Sequence, residues 1–109
     1  QEGRDMERMK AMLSFLEEHY AEELTLEQIS ESACISTTEC MRCFRRSIGV
    51  SPIRFLKERR LQHAADMLRH TEKSISGIAA SCGFSDMSYF TKSFRQLYDV
   101  TPTVYRNNG

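Results

Sequence analysis

Apolar residues recur along this chain at three- and four-residue intervals, and no run alternates with a period of two. The pattern predicts helices throughout and no sheet. Met9, Met12, Leu13 and Leu16 share one face of a first helix, with Tyr20 extending the stripe. Phe55, Leu56, Leu61, Ala64, Ala65 and Leu68 form the buried stripe of a longer one. Polar residues mark the helix starts. Thr25 to Gln28 and Ser36 to Glu39 both have capping-box form. Ser51-Pro52 and Thr101-Pro102 each set a cap before a proline at the first helical position, where a missing N–H costs nothing. Ser74 and Ser85 are expected to cap two more helices, and Gly49 and Gly83 to supply turns. The expectation is an all-α chain of seven helices: Met6–Tyr20, Leu26–Ala33, Thr37–Ile48, Pro52–His70, Ile75–Cys82, Asp86–Leu97 and Pro102–Arg106.

Part of this pattern occurs twice. Leu26, Ile29, Ala33, Ile35 and Ser36 recur 49 residues later as Ile75, Ile78, Cys82, Phe84 and Ser85. After one extra residue, Phe44, Arg45, Val50, Pro52 and Phe55 recur 50 residues later as Phe94, Arg95, Val100, Pro102 and Tyr105. Each copy reads as a short helix, a tight turn, a second helix and a Ser/Thr-Pro start. The organisation expected is a first helix-turn-helix subdomain over 1–50, a linking helix over 51–70 and a second subdomain over 71–109, acting as one module. At 109 residues the chain is one domain, or two small ones sharing a helix. Either half alone is too short to bury much of a core.

Charge changes the picture more than composition does. The formal net charge is zero, yet residues 1–40 carry ten acids against three basic residues, and residues 41–109 carry twelve basic residues against five acids. Such polarity points towards a polyanionic partner. No stretch approaches a membrane span or a secretory segment, and a cytoplasmic protein is expected. Cys34, Cys40, Cys43 and Cys82 then read as reduced thiols. Cys40 and Cys43 form a C-x-x-C with no second pair and no neighbouring His, so neither metal nor cofactor is expected. Nor does a catalytic constellation assemble, since His19 and His70 fall at helix ends and His63 on the linking helix. The chain opens on Gln1 rather than Met, which points to a piece of a longer parent.

The second helix of each repeat carries the candidate chemistry. Cys40, Phe44 and Ile48 should face the core, as should Phe90 and Phe94. Thr38, Met41, Arg42 and Arg45 are left on the outer face, and Ser88, Thr91, Lys92 and Arg95 follow fifty residues later. Both faces combine small hydrogen-bonding groups with cations and carry no acid. They suit the major groove of double-stranded DNA, where Arg bonds guanine bidentately, Ser and Thr bond several base edges, and Met meets a thymine methyl. Thr38, Met41, Arg42, Ser88, Thr91 and Lys92 are the expected base readers. Ser36, Thr37, Arg45, Arg46, Ser85, Tyr89 and Arg95 are the expected phosphate or groove-edge contacts, helped by the N–H groups of the helix starts. A linking helix Pro52–His70 would span roughly 28 Å at 1.5 Å per residue. Successive groove openings lie about 34 Å apart, so two reading helices joined in series predict an asymmetric site, modestly bent, rather than a palindrome. The second unit is expected to dominate. A helical protein-interaction module is the rival reading, separable by its indifference to salt.

The run from Gly83 to Arg95 (Gly-Phe-Ser-Asp-Met-Ser-Tyr-Phe-Thr-Lys-Ser-Phe-Arg), followed by Val100-Thr101-Pro102 and Tyr105-Arg106, resembles the signature of AraC/XylS-type bacterial transcription regulators. The Leu26–Ala33 segment, Phe44, Gly49, Ser51-Pro52 and Arg59-Arg60-Leu61 fit the same family, so the likeness covers about residues 6–107. It implies a seven-helix module with two helix-turn-helix units. It also implies promoter binding, activation through contact with RNA polymerase, and an N-terminal effector-sensing or dimerisation domain in the parent. The base-reading positions it implies are the same six residues, with Tyr89 beside them. Two departures stand out: Cys34 occupies a glycine position of the first turn, and Asp99 another before Val100. A strained turn is expected at the first and a different helix end at the second.

Overall fold

The computed structural model of the chain describes residues 2–108. Among these residues there are seven helices and no strand: α1 Glu2–His19, α2 Leu26–Glu31, α3 Thr37–Ile48, α4 Pro52–His70, α5 Ile75–Ser81, α6 Met87–Tyr98 and α7 Pro102–Asn107. The chain divides into two units, Gln1–Leu56 and Lys57–Gly109, with the division inside α4. Each unit carries one helix-turn-helix pair, α2–α3 in the first and α5–α6 in the second.

In the first unit α1, α2, α3 and the start of α4 close on Met9, Met12, Leu16, Ile29, Cys40, Cys43, Phe44 and Leu56, with Leu13, Tyr20 and Phe55 packed against them. Thr25 caps α2 with a complete box: its Oγ1 accepts from the Gln28 N–H at 3.1 Å, and its own N–H donates to Gln28 Oε1 at 2.9 Å. Such a cap stabilises by about 1 kcal/mol. Ser36 caps α3, accepting the Glu39 N–H at 3.2 Å. The second expected box stays half-made, because the Glu39 carboxylate turns to arginines of α1 and α3 instead.

The second unit buries Leu61, Ala64, Ala65 and Leu68 of α4 with Ile78 and Ala79 of α5 and Phe90 and Phe94 of α6. An edge-to-face aromatic series strengthens it, with ring centroids 5.0 Å apart for Phe84–Phe90 and 5.3 Å for Phe94–Tyr105. From α7 the Arg106 guanidinium donates to the carbonyls of Leu68 (3.0 Å) and Thr71 (3.2 Å), satisfying groups left open where α4 ends.

Several expectations need correction. Helix α1 begins four residues before Met6, in a polar turn that no apolar stripe could reveal. Helix α6 is capped by Asp86, not Ser85: its Oδ1 accepts from the N–H groups of Ser88 (2.8 Å) and Tyr89 (3.2 Å). The extra residue of the second repeat thus lies before the cap, and α3 and α6 correspond at a constant offset of 50. Ile48 is 41% exposed rather than core-facing, because it falls on the last turn of α3. Cys34 does occupy the left-handed region, at φ +57°, as Gly83 does at +95°. Asp99 ends α6 at φ +67°, in the same conformation with which Gly49 ends α3 at +77°, so that helix end does not differ.

Candidate nucleic-acid interface

Local sequence dictates which face of each second helix turns outward. In α3, Cys40, Cys43 and Phe44 are buried, and in α6 Phe90, Ser93 and Phe94, at the same positions of the repeat. The anchors recur at intervals of three and four, so the opposite stripe must face solvent. Thr38, Arg42 and Arg45 are exposed in α3, as are Ser88, Lys92 and Arg95 in α6. Met41 and its counterpart Thr91 are half-buried at the edge of each stripe. All six expected base readers therefore share the outer faces of α3 and α6, three in each unit.

The flanking groups divide into free and engaged ones. Arg45, Lys92 and Arg95 take no ion pair among the described residues. Arg46 is held: its Nε donates to Asp5 Oδ2 at 2.9 Å, and its Nη2 reaches Asp5 Oδ1 and Glu39 Oε2, both at 3.2 Å. These bonds draw the Asp5 and Glu39 carboxyls below the ordinary carboxylate range and raise the guanidinium further. Arg42 lies 3.5 Å from Glu39 Oε1 and is otherwise open. Ser36 and Ser85 are exposed and Thr37 is half-buried, all beside the helix starts. At the start of α6 the Asp86 carboxylate already accepts from two N–H groups that an anion would use, unlike the neutral Ser36 cap of α3.

Sequence reasoning missed four neighbours. Met87, Gln96 and Thr101 line one groove with Ser88, Thr91, Lys92 and Arg95. The Lys57 ammonium sits 5.8 Å from the Tyr89 ring centroid, adding a cation beside that half-exposed phenol. Lys57 could not be found by periodicity, because it belongs to a different helix. The C-x-x-C thiols point inward; Cys43 donates to Asp5 Oδ1 at 3.6 Å, and burial pushes both Cys40 and Cys43 up. No group of three metal-binding side chains gathers among the described residues. Nor is any helix of theirs long and apolar enough to cross a membrane.

Comparison with known proteins agrees with this arrangement. A family model described as a helix-turn-helix domain matches residues 29–108. The HTH-type transcriptional activator RhaS of Escherichia coli O139:H28 is 36% identical over 99 residues, which are 91% of this chain and 36% of RhaS. The chain thus spans about a third of the length of the curated relatives it matches. Among solved structures, a Chromobacterium violaceum transcriptional regulator, of the AraC-type DNA-binding domain-containing proteins, superposes with a TM-score of 0.88 at 29% identity, over 92% of this chain and 89% of that one. The DNA-binding domain of the global transcriptional factor AdpA, in complex with a target DNA, gives 0.84 at 26% identity, over 89% and 87%. With two helix-turn-helix pairs of matching register already in view, these likenesses place the chain in the AraC-type helix-turn-helix family, whose members are DNA-binding domains of transcription regulators and not enzymes.

Proposed function

We propose that this chain is the promoter-reading module of a transcription activator, and that it lays α3 and α6 in successive major-groove segments of one asymmetric DNA site. The observation that carries the reading is the common register of the two helices: fifty residues apart, the same positions are buried and the same positions present cations and hydroxyls outward. Thr38, Met41 and Arg42 read bases in one segment, and Ser88, Thr91 and Lys92 in the next. Arg45, Arg95, Tyr89, Ser36, Thr37 and Ser85 meet phosphates or the groove edge, and Arg46, its fork taken by Asp5 and Glu39, stands at the groove edge. The three blocks 1–50, 51–70 and 71–109 work as a single module. That RhaS is named an activator, and that the AdpA domain is complexed with a target DNA, supports this assignment. Contact with RNA polymerase, a sensing or dimerisation domain in the parent and residence in the cytoplasm belong to the same proposal.

Selection of bound duplexes from a random pool tests it. The expected product is a non-palindromic sequence with two preferred blocks about one helical turn apart, bound more weakly as salt rises. Alanine at Arg42 or Lys92 should cost about 1–3 kcal/mol on that sequence and relax one position. Glu18→Gln and Glu31→Gln, both on exposed side chains of other helices, should leave it unchanged. A palindromic product, or binding indifferent to salt, would overturn the reading.

A further inference from the structure

The reading faces of α3 and α6 match in kind, but the edges beside them do not. Fifty residues after Glu39 and Arg46 stand Tyr89 and Gln96, so the second unit has no acid and no fork there. Glu39 joins three arginines: Oε2 accepts from Arg8 Nη1 at 3.0 Å and from Arg46 Nη2 at 3.2 Å, and Oε1 lies 3.5 Å from Arg42 Nη1. Asp5 takes the other edge of Arg46 through Nε and Nη2. Two carboxylates thus face three guanidiniums, leaving one positive charge in excess. Of the three, Arg42 is the most open, its side chain 65% exposed against 42% for Arg46 and 22% for Arg8, and its contact with Glu39 is the longest of the three to that carboxylate.

We propose that Glu39 is a specificity-determining positioning residue: it keeps the Arg46 fork off the phosphate backbone and leans Arg42 towards a base edge. The inference rests on the reading above, in which α3 enters a major groove. Attraction that ignores sequence comes from cations that neutralise phosphates and release counterions. A guanidinium whose fork already holds two carboxylates contributes little of it, since a phosphate would have to displace one of them. Arg42, steadied on one side only, keeps its outer edge for a bidentate contact at a smaller cost in orientational freedom. Glu39 thus tilts the first unit towards discrimination, while Lys92 and Arg95 of the second, like Arg45 of the first, face no acid and keep their full attraction for the duplex.

The test uses the full chain with Glu39→Gln, Asp5→Asn and Lys92→Ala, each titrated over a salt series with the best selected duplex and with a scrambled duplex of equal composition. Glu39→Gln should tighten the scrambled duplex, steepen the salt dependence by roughly one released counterion, and lower the preference at the position under Arg42 by roughly fivefold. Asp5→Asn removes one of the two carboxylates on the Arg46 fork and leaves Glu39 beside Arg42, so it should steepen the salt dependence by less while that preference persists. Parental salt dependence and parental preference in both variants would make the cluster a brace of the fold and overturn the proposal. If Glu39→Gln does not fold, Glu39→Asp, whose shorter carboxylate withdraws from Arg42 and Arg46, takes its place: a steeper dependence with a lowered preference supports the proposal, and parental values overturn it. Lys92→Ala separates the two levels. If it weakens the selected duplex while Glu39→Gln shifts nothing, the role of Glu39 fails alone; if it too has no effect, the groove reading fails with it.

Discussion

Left-handed backbone at a residue with a side chain costs roughly 1–2 kcal/mol, less for Asp, whose short polar group suits the turn. This chain places Cys34 and Asp99 there, where the other repeat has Gly83 and Gly49. Replacing Cys34 by glycine removes the clash but gives the unfolded chain about 0.4–1 kcal/mol of extra freedom. Cys34→Gly should therefore gain about 0.5 kcal/mol, seen as a melting midpoint roughly 2 °C higher. Asp99→Gly should be near neutral. Gly49→Ala, with open space around the new methyl but φ +77°, should lose about 1 kcal/mol through backbone strain alone. Thermal melts of the three variants check the ordering. Thiol chemistry offers a second residue-level prediction. Of the four cysteines only Cys34 is exposed, and burial pushes the Cys82 thiol up to about 11. A neutral disulfide reagent should modify one thiol in the folded chain and four after denaturation.

At the scale of elements, the Asp5–Arg46–Glu39 cluster ties the polar first turns of α1 to α3. Both carboxyls are held below their ordinary values of 3.8 and 4.5. A depressed folded value means stability that is complete above the unfolded value and lost as pH falls through the folded one. The contribution should be intact above about pH 5 and fade below about pH 4.5, gone once the lowered values are passed. Unfolding midpoints between pH 3 and 6 should fall more steeply for the parent than for an Asp5→Asn/Glu39→Gln double variant. This cluster also shows where sequence reading stops. Seven helices, α3 and α4 to the residue, and the outward stripes follow from spacing and cap residues, which act locally. The partners of Glu39 lie as far away as Arg8, 31 residues earlier, and only the packing of α1 on α3 brings them together. Lys57 beside Tyr89 is the same case. The cap of α6 is ambiguous in sequence for another reason: Ser85 and Asp86 are both good caps, and only the backbone chooses between them.

For the whole molecule, the proposal needs both units on one DNA at once, and α4 is the element that decides it. The division between the units falls between Leu56, which packs in the first core, and Lys57. One alanine inserted there leaves each unit's buried residues in place. It turns the second unit by about 100° and advances it by about 1.5 Å relative to its present setting. On the proposal, the two reading helices could then no longer engage one duplex together. Affinity should fall on the order of 100-fold, the worth of the second, tethered contact, while preference within one block of the selected site survives. Four inserted alanines make nearly a full turn, returning the direction to within about 40°, and should recover part of the loss. Titration of both insertion variants against the selected duplex and its separate halves gives the answer. Undiminished affinity with one alanine would mean that a single helix-turn-helix pair carries the binding and that α4 is a tether, not a ruler.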